Sequence, residues 1–168
     1  MSKISFKILR FFHFTLFSST AIGKLLDNRG FAEVIASYQF GIPRALLLPL
    51  ALTISLAELC LAIAIMSAPF RNNEPHSSLS SPLSSRISRR LSGCLNNQNN
   101  ISAICFAVNI AYLLLAVVSL ERGLTLKNCG CFGVFIARPL SNQTVIEDAI
   151  LASLSAAYFL LSRRRTAC

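Results

Sequence analysis

The sequence predicts an all-α membrane protein, a four-transmembrane-helix bundle with a short interfacial helix after the first span. Three observations predict it. Of 168 residues, 54% are hydrophobic and only 14% are charged, against about 25% charged in an ordinary soluble domain. Apolar segments recur at 8–26, 47–66, 101–120 and 145–162, each near the roughly 20 residues that carry a helix across a hydrocarbon core about 30 Å thick. Basic residues gather in small groups beside those segments. That placement argues against a nucleic-acid footprint despite the net charge of +9 and matches the flanks that orient membrane helices. Four spans and their connections use up the length, so a single membrane domain over 1–168 is expected.

The first span follows Lys3, Lys7 and Arg10 and runs through Phe11, Phe12, Phe14 and Phe17. The small residues from Ser19 to Gly23 also fit a cleavable signal peptide. A retained helix is expected because apolar character continues to Leu25 and Leu26, with Lys24 placed to snorkel toward the interface. Beyond it, Phe31, Val34, Ile35 and Tyr38 recur at i, i+3, i+4 and i+7, one face of a short amphipathic helix lying along the membrane surface. Gly41 and Pro43 end it, and Pro49 is expected in the first turn of the second span, where a missing N–H costs little.

The stretch 69–100 is rich in Ser, Asn and Pro, carries Arg71, Arg86, Arg89 and Arg90, and has no apolar period, so it predicts a flexible cytoplasmic loop. Leu91-Ser-Gly-Cys94 matches a lipid-attachment pattern by chance, since no apolar signal segment precedes it. The fourth span opens on Thr144-Val-Ile-Glu147, a capping-box pattern, and closes on Arg163, Arg164 and Arg165, where cations favour a helix C-terminus.

Four spans put both termini and the 69–100 loop on one side, with the larger share of Lys and Arg. The other side holds Lys24, Arg29, Arg44, Arg122, Lys127 and Arg138. The excess predicts cytoplasmic termini in the cell (inner) membrane and an extracytoplasmic 121–144 loop. Of six cysteines, only Cys129 and Cys131 then face an oxidising space. Cys60 and Cys105 lie within spans and suit the role of small apolar fillers.

Asn128-Cys-Gly-Cys-Phe-Gly133 sets two thiols two residues apart, with Gly130 inside the pair and Phe132 and Gly133 after it. A bridge over so short a loop favours exchange over stapling, and Lys127 is a nearby cation that would favour a thiolate. Three readings compete on spacing alone: a redox dithiol at Cys129 and Cys131, a soft-metal site for an ion such as Cu(I), and a structural turn. Two thiolates are too few for a closed zinc site, and no metal site is assigned.

Glu58 lies near the middle of a span, where an ionisable group is a functional candidate. Two readings fit it: proton or quinone chemistry, which would make a quinone the cofactor, and helix glue through a hydrogen bond to Asn109 or a carbonyl. His13, without a partner at matching depth, is expected to pack and is given no role. Asp27, Arg29 and Glu33 suit a solvated rim, and Glu147 and Asp148 suit the positive end of the last helix.

Gly23-Lys24-Leu25, Phe31, Tyr38, Pro43, Pro49, Glu58 and above all Cys129-Gly-Cys-Phe-Gly133 together resemble the MauE-type methylamine utilisation membrane proteins, of the DoxX-like four-helix group. The likeness covers nearly the whole chain except 69–100, and an arginine expected near the start of the last span is replaced around Glu147. It implies a role in processing, transport or maturation of the disulfide-dense small subunit of methylamine dehydrogenase, or of a similar exported protein. Implied partners are the lipid bilayer and an exported cysteine-rich client or thioredoxin-like protein. A non-enzymatic DoxX-like scaffold or transport component, or a copper-handling protein, is the alternative.

Overall fold

The computed structural model describes residues 3–67, 98–131 and 138–166. Most of the 69–100 loop, with Cys94, and also Phe132, Gly133 and Cys168, lies outside them. Every regular element among the described residues is helical: α1 (Lys3–Leu26), α2 (Asn28–Ser37), α3 (Arg44–Ser67), α4 (Gln98–Glu121) and α5 (Asn142–Thr166). Three helices are long and apolar enough to cross a membrane, Arg44–Ser67, Gln98–Glu121 and Asn142–Arg164.

Helix α1 matches them in length but is less apolar, and three of its ionisable residues are turned inward. Arg10, His13 and Lys24 are buried, while Ile4, Ile8, Phe11, Ile22 and Leu26 stand exposed on the outer face. The other long helices repeat the pattern, exposing Ile63, Leu114 and Ile150 and burying Ser55, Glu58, Asn109 and Ser155. Water would penalise so many exposed large apolar side chains, whereas a hydrocarbon solvent accepts them and leaves polar groups to find partners inside.

Cross-helix bonds set the topology. Arg10 Nε donates to the Ile65 carbonyl at 2.8 Å and Nη2 to that of Met66 at 2.6 Å, so α1 and α3 run antiparallel and Arg10 caps the end of α3. Ser162 Oγ donates to Asn99 Oδ1 at 2.8 Å, and Asn109 Nδ2 to Ser155 Oγ at 2.9 Å, which pairs α4 antiparallel to α5. His13 Nε2 meets the same Ser155 Oγ at 2.8 Å and joins α1 to α5. His13 thus has a partner that the sequence did not reveal, and it stacks on Tyr158 with ring centroids 5.1 Å apart, as a packing residue.

The chain therefore runs up, down, up and down, and α2 shares one end of the bundle with residues 122–131 and 138–141. At the opposite end a core of Phe6, Phe17, Leu61, Ile65, Ile101, Cys105 and Tyr158 closes the four helices together. Cys105 sits fully buried in that core and Cys60 is exposed on the outer face.

Asp27 starts α2 as its N-cap, accepting from Gly30 N–H at 2.9 Å. Phe31 and Ala32 then pack on Leu47 and Ala51, the amphipathic face expected from the sequence, now seen seated on the first half of α3. Gln39 and Gly41 take φ of +56° and +69° to turn the chain away. Pro49 falls in the second turn of α3, not the first, because the helix already begins at Arg44.

The capping box also differs from expectation. Helix α5 begins at Asn142, and Thr144 Oγ1 donates to the Pro139 carbonyl at 2.9 Å instead of capping. Glu147 pairs with Arg138 and accepts from Gln143 Nε2 at 3.1 Å. An arginine just ahead of the helix competes for that carboxylate with a charge a backbone N–H lacks.

Candidate functional site

Two connected groups of polar residues lie at the α2 end. The first is a buried ion pair, Lys24 Nζ to Glu58 Oε1 at 2.5 Å, with side chains 1% and 5% exposed. Lys24 Nζ also donates to Tyr112 Oη at 3.1 Å, and Tyr112 Oη donates to the same Glu58 oxygen. The ammonium lies 5.1 Å from the Phe31 ring centroid and 5.0 Å from that of Tyr112.

This geometry corrects two expectations. Lys24 does not snorkel outward, because α1 ends level with the middle of α3 and the last turn of α1 therefore faces Glu58. Glu58 does not bond Asn109, which donates to the Cys105 carbonyl and to Ser155 instead. An opposite charge within reach outcompetes a neutral amide for a desolvated carboxylate.

The second group is the Cys-Gly-Cys loop, which folds down onto α2. Cys129 N–H donates to the Arg138 carbonyl at 2.7 Å and Leu140 N–H to that of Leu126 at 2.9 Å, closing the neck of the loop. The Cys129 carbonyl accepts from Tyr38 Oη at 2.7 Å. Burial pushes the Tyr38 phenol pKa up, which keeps the proton that this bond uses.

Gly130 shows why the motif has glycine at its centre. Its φ is +76°, and a Cβ there would lie 2.7 Å from Val34 Cγ1 and 3.3 Å from the Phe31 ring. Any side chain would lift the loop from α2. Asn128 Oδ1 accepts from Gly130 N–H at 2.9 Å and completes the turn.

Both cysteines are free, Cys129 buried and Cys131 half-buried. The Cys131 thiol donates a hydrogen bond to the Cys129 sulfur, and this holds the Cys129 pKa down at about 6 against the opposing effect of burial. The Cys131 N–H and the Arg138 guanidinium act in the same direction. Cys131 is pushed up, first by giving that hydrogen bond and then by burial. Lys127, the cation expected beside the thiolate, is exposed to solvent, and Arg138 takes that place.

A cavity of about 180 Å³ joins the two groups. Cys129, Gly130 and Cys131 form one wall, Lys24 and Tyr112 another, and apolar side chains of α2, α3 and α4 the remainder. Asp148 of α5 also lines it, at 8% exposure. Among the described residues no group of three or more His, Cys, Asp or Glu comes together that could hold a metal ion.

The structure therefore brings Cys129, Gly130 and Cys131 to one cavity, with Glu58 behind Lys24, and adds Tyr38, Tyr112, Arg138 and Asp148. Lys24 and Glu58 carried a usable signal, two ionisable residues of opposite sign within apolar stretches of the sequence. Asp148 carried none, because its place at a helix start already explained it.

No family model, no curated protein and no solved structure matches the chain.

Proposed function

We propose that the chain is a membrane-embedded thiol–disulfide oxidoreductase in which Cys129 and Cys131 form an exchangeable disulfide that oxidises an exported, cysteine-containing client. The observation that carries this reading is the paired thiols: two free cysteines in hydrogen-bond contact, one with a depressed pKa, lining a cavity rather than bridged into a core. Perturbed titratable groups in a cleft are functional-site candidates for a physical reason, since reactivity needs the thiolate.

In the oxidised chain a client thiolate attacks Cys131 Sγ, on the less buried of the two residues. The S–S bond breaks and the electron pair leaves on Cys129 Sγ, the thiol that ionises more readily and so leaves faster. The second client thiolate then attacks the client sulfur joined to Cys131. The client disulfide forms, and Cys131 leaves and takes a proton. Net, the client loses two hydrogens and the pair gains them.

In this reading α1 is a fourth span, its inward polar residues partnered by α3, α4 and α5. The Lys and Arg excess puts both termini in the cytoplasm and the Cys129–Cys131 loop outside the inner membrane. Helix α2 lies at the outer interface. The resemblance to the MauE-type proteins supplies the client class, the small subunit of methylamine dehydrogenase or another exported protein dense in disulfides.

The test is trapping. A Cys129→Ser chain, whose Cys131 thiolate attacks a disulfide of the oxidised client and has no Cys129 to resolve the product, accumulates a reductant-sensitive adduct at Cys131 in cells that express a client. If neither single Cys→Ser chain forms an adduct and a Cys129→Ala/Cys131→Ala chain still supports client oxidation, the motif only shapes a turn and the scaffold reading replaces this one.

A further inference from the structure

An exchanging dithiol must be re-oxidised, and the cavity suggests by what. We propose that it seats the single-ring head group of a quinone, which takes two electrons and two protons from Cys129 and Cys131. This rests on the dithiol reading above and names its electron acceptor.

Size is the first support. A cavity of about 180 Å³ compares with the roughly 150 Å³ that holds a benzene ring in a protein interior, so one substituted ring fits and a three-ring flavin does not. Chemistry is the second. The walls away from the cysteines are apolar, Phe31, Ile54 and Ala116 among them, and suit a lipid-soluble ring.

Two polar groups in the wall lack a full set of partners. Lys24 Nζ uses two hydrogen bonds, to Glu58 and Tyr112, of the three an ammonium offers. Asp148 Oδ2 is buried with no hydrogen-bond partner, and Asp148 is more than nine-tenths buried and lines the cavity. A quinone supplies a carbonyl oxygen for the Lys24 N–H, and its reduced form supplies an O–H for the Asp148 carboxylate.

The step balances once the proton that Cys129 released to solvent on ionising is counted. The Cys129 thiolate adds through sulfur to a ring carbon, and the ring oxygen beside Lys24 takes the developing charge and a proton from the Lys24 ammonium, which regains one from solvent. Cys131 gives its proton to Asp148 and attacks Cys129 Sγ. The S–S bond forms, the S–C bond breaks, and the electron pair returns to the ring. The second ring oxygen then takes the proton from Asp148, which leaves a quinol and a disulfide.

The test uses the full chain, reduced and desalted in detergent, with decyl-ubiquinone as probe. Saturable reduction of one quinone per chain, with loss of two hydrogens from the peptide bearing Cys129 and Cys131, is expected. Ala116→Leu and Ile54→Trp each fill the cavity. Both are expected to slow quinone reduction by about tenfold or more, the factor that roughly 1.4 kcal/mol of lost ring binding produces, while glutathione disulfide still oxidises the thiols at the parent rate. A dithiol that reacts with glutathione disulfide but not with the quinone, or quinone reduction unaffected by both fillers, overturns the acceptor and leaves the oxidoreductase reading standing. A dithiol inert to both oxidants overturns both.

Discussion

The hydrogen bond from Cys131 to Cys129 makes a quantitative expectation for how Cys129 reacts with an alkylating agent. With a pKa of about 6, Cys129 is about 90% thiolate at pH 7, whereas an ordinary thiol near 8.5 is about 3% ionised. That is roughly 30 times more thiolate. Nucleophilicity falls with basicity, however, and a Brønsted slope of about 0.4–0.5 over 2.5 units removes roughly a factor of ten. The net advantage at pH 7 is only about threefold, so the rate itself is a poor reporter and the midpoint of its pH profile is the useful one. Iodoacetamide labelling of the reduced chain, resolved by site with mass spectrometry from pH 4.5 to 9.5, is expected to show Cys129 rising with a midpoint near 6. Cys131→Ala removes the largest stabilising contact, and the midpoint is expected to climb into the ordinary thiol range or above, because burial then acts with less opposition. Arg138→Ala is expected to raise it by less. A parent midpoint near 8.5, or one that Cys131→Ala leaves unmoved, would refute the thiol–thiol hydrogen bond as the cause.

Further expectations follow from the same geometry. Because the folded-state pKa of Cys129 is depressed, its stabilisation of the reduced chain is fully present above the unfolded value near 8.5 and is lost as pH falls through about 6. The fraction reduced in a fixed glutathione buffer is therefore expected to increase from pH 5.5 to 7.5, with an equilibrium shift of roughly 20-fold for one thiolate; a decrease would contradict the assignment. Lys24→Met or Glu58→Leu alone orphans a buried partner, at a cost of about 3–5 kcal/mol, and Lys24→Met/Glu58→Leu is expected to recover most of it in a thermal-denaturation cycle. Additive losses would show that the pair does not interact. Tyr38→Phe leaves the buried Cys129 carbonyl without its donor and is expected to cost about 1–3 kcal/mol and to speed hydrogen exchange in residues 126–131. Gly130→Ala carries a left-handed penalty of roughly 1–2 kcal/mol on top of the Val34 contact. Val34→Ala is expected to restore only the contact share, so full rescue would show that the positive φ is unimportant.

The lengths of the long helices were legible because a bilayer imposes them, and α2 was legible because Phe31, Val34, Ile35 and Tyr38 mark one helical face within a single short segment. The cysteine pair was legible for the same local reason. What short-range pattern could not carry was which helices meet. Lys24 and Glu58 are 34 positions apart, and their pairing depends on α1 stopping level with the middle of α3, a consequence of α2 folding back on Leu47 and Ala51. Arg138 was read as one more charge in a loop, yet a neck of two backbone hydrogen bonds turns it toward Cys129 and Glu147. Asp148 was assigned to a helix start, and only the packing of α5 against the loop brings it to the cavity. In each case the local explanation was sufficient, and a partner distant in sequence decided the outcome.

The most direct test of an exchangeable dithiol is thiol trapping in native membranes. Membranes are quenched in acid and labelled with a maleimide mass tag before and after treatment with dithiothreitol, then again after washing and addition of glutathione disulfide. An exchangeable pair leaves Cys129 and Cys131 unlabelled at first, labels both after the reductant, and becomes unlabelled again after the oxidant. Labelling of both residues that neither reagent changes would contradict it.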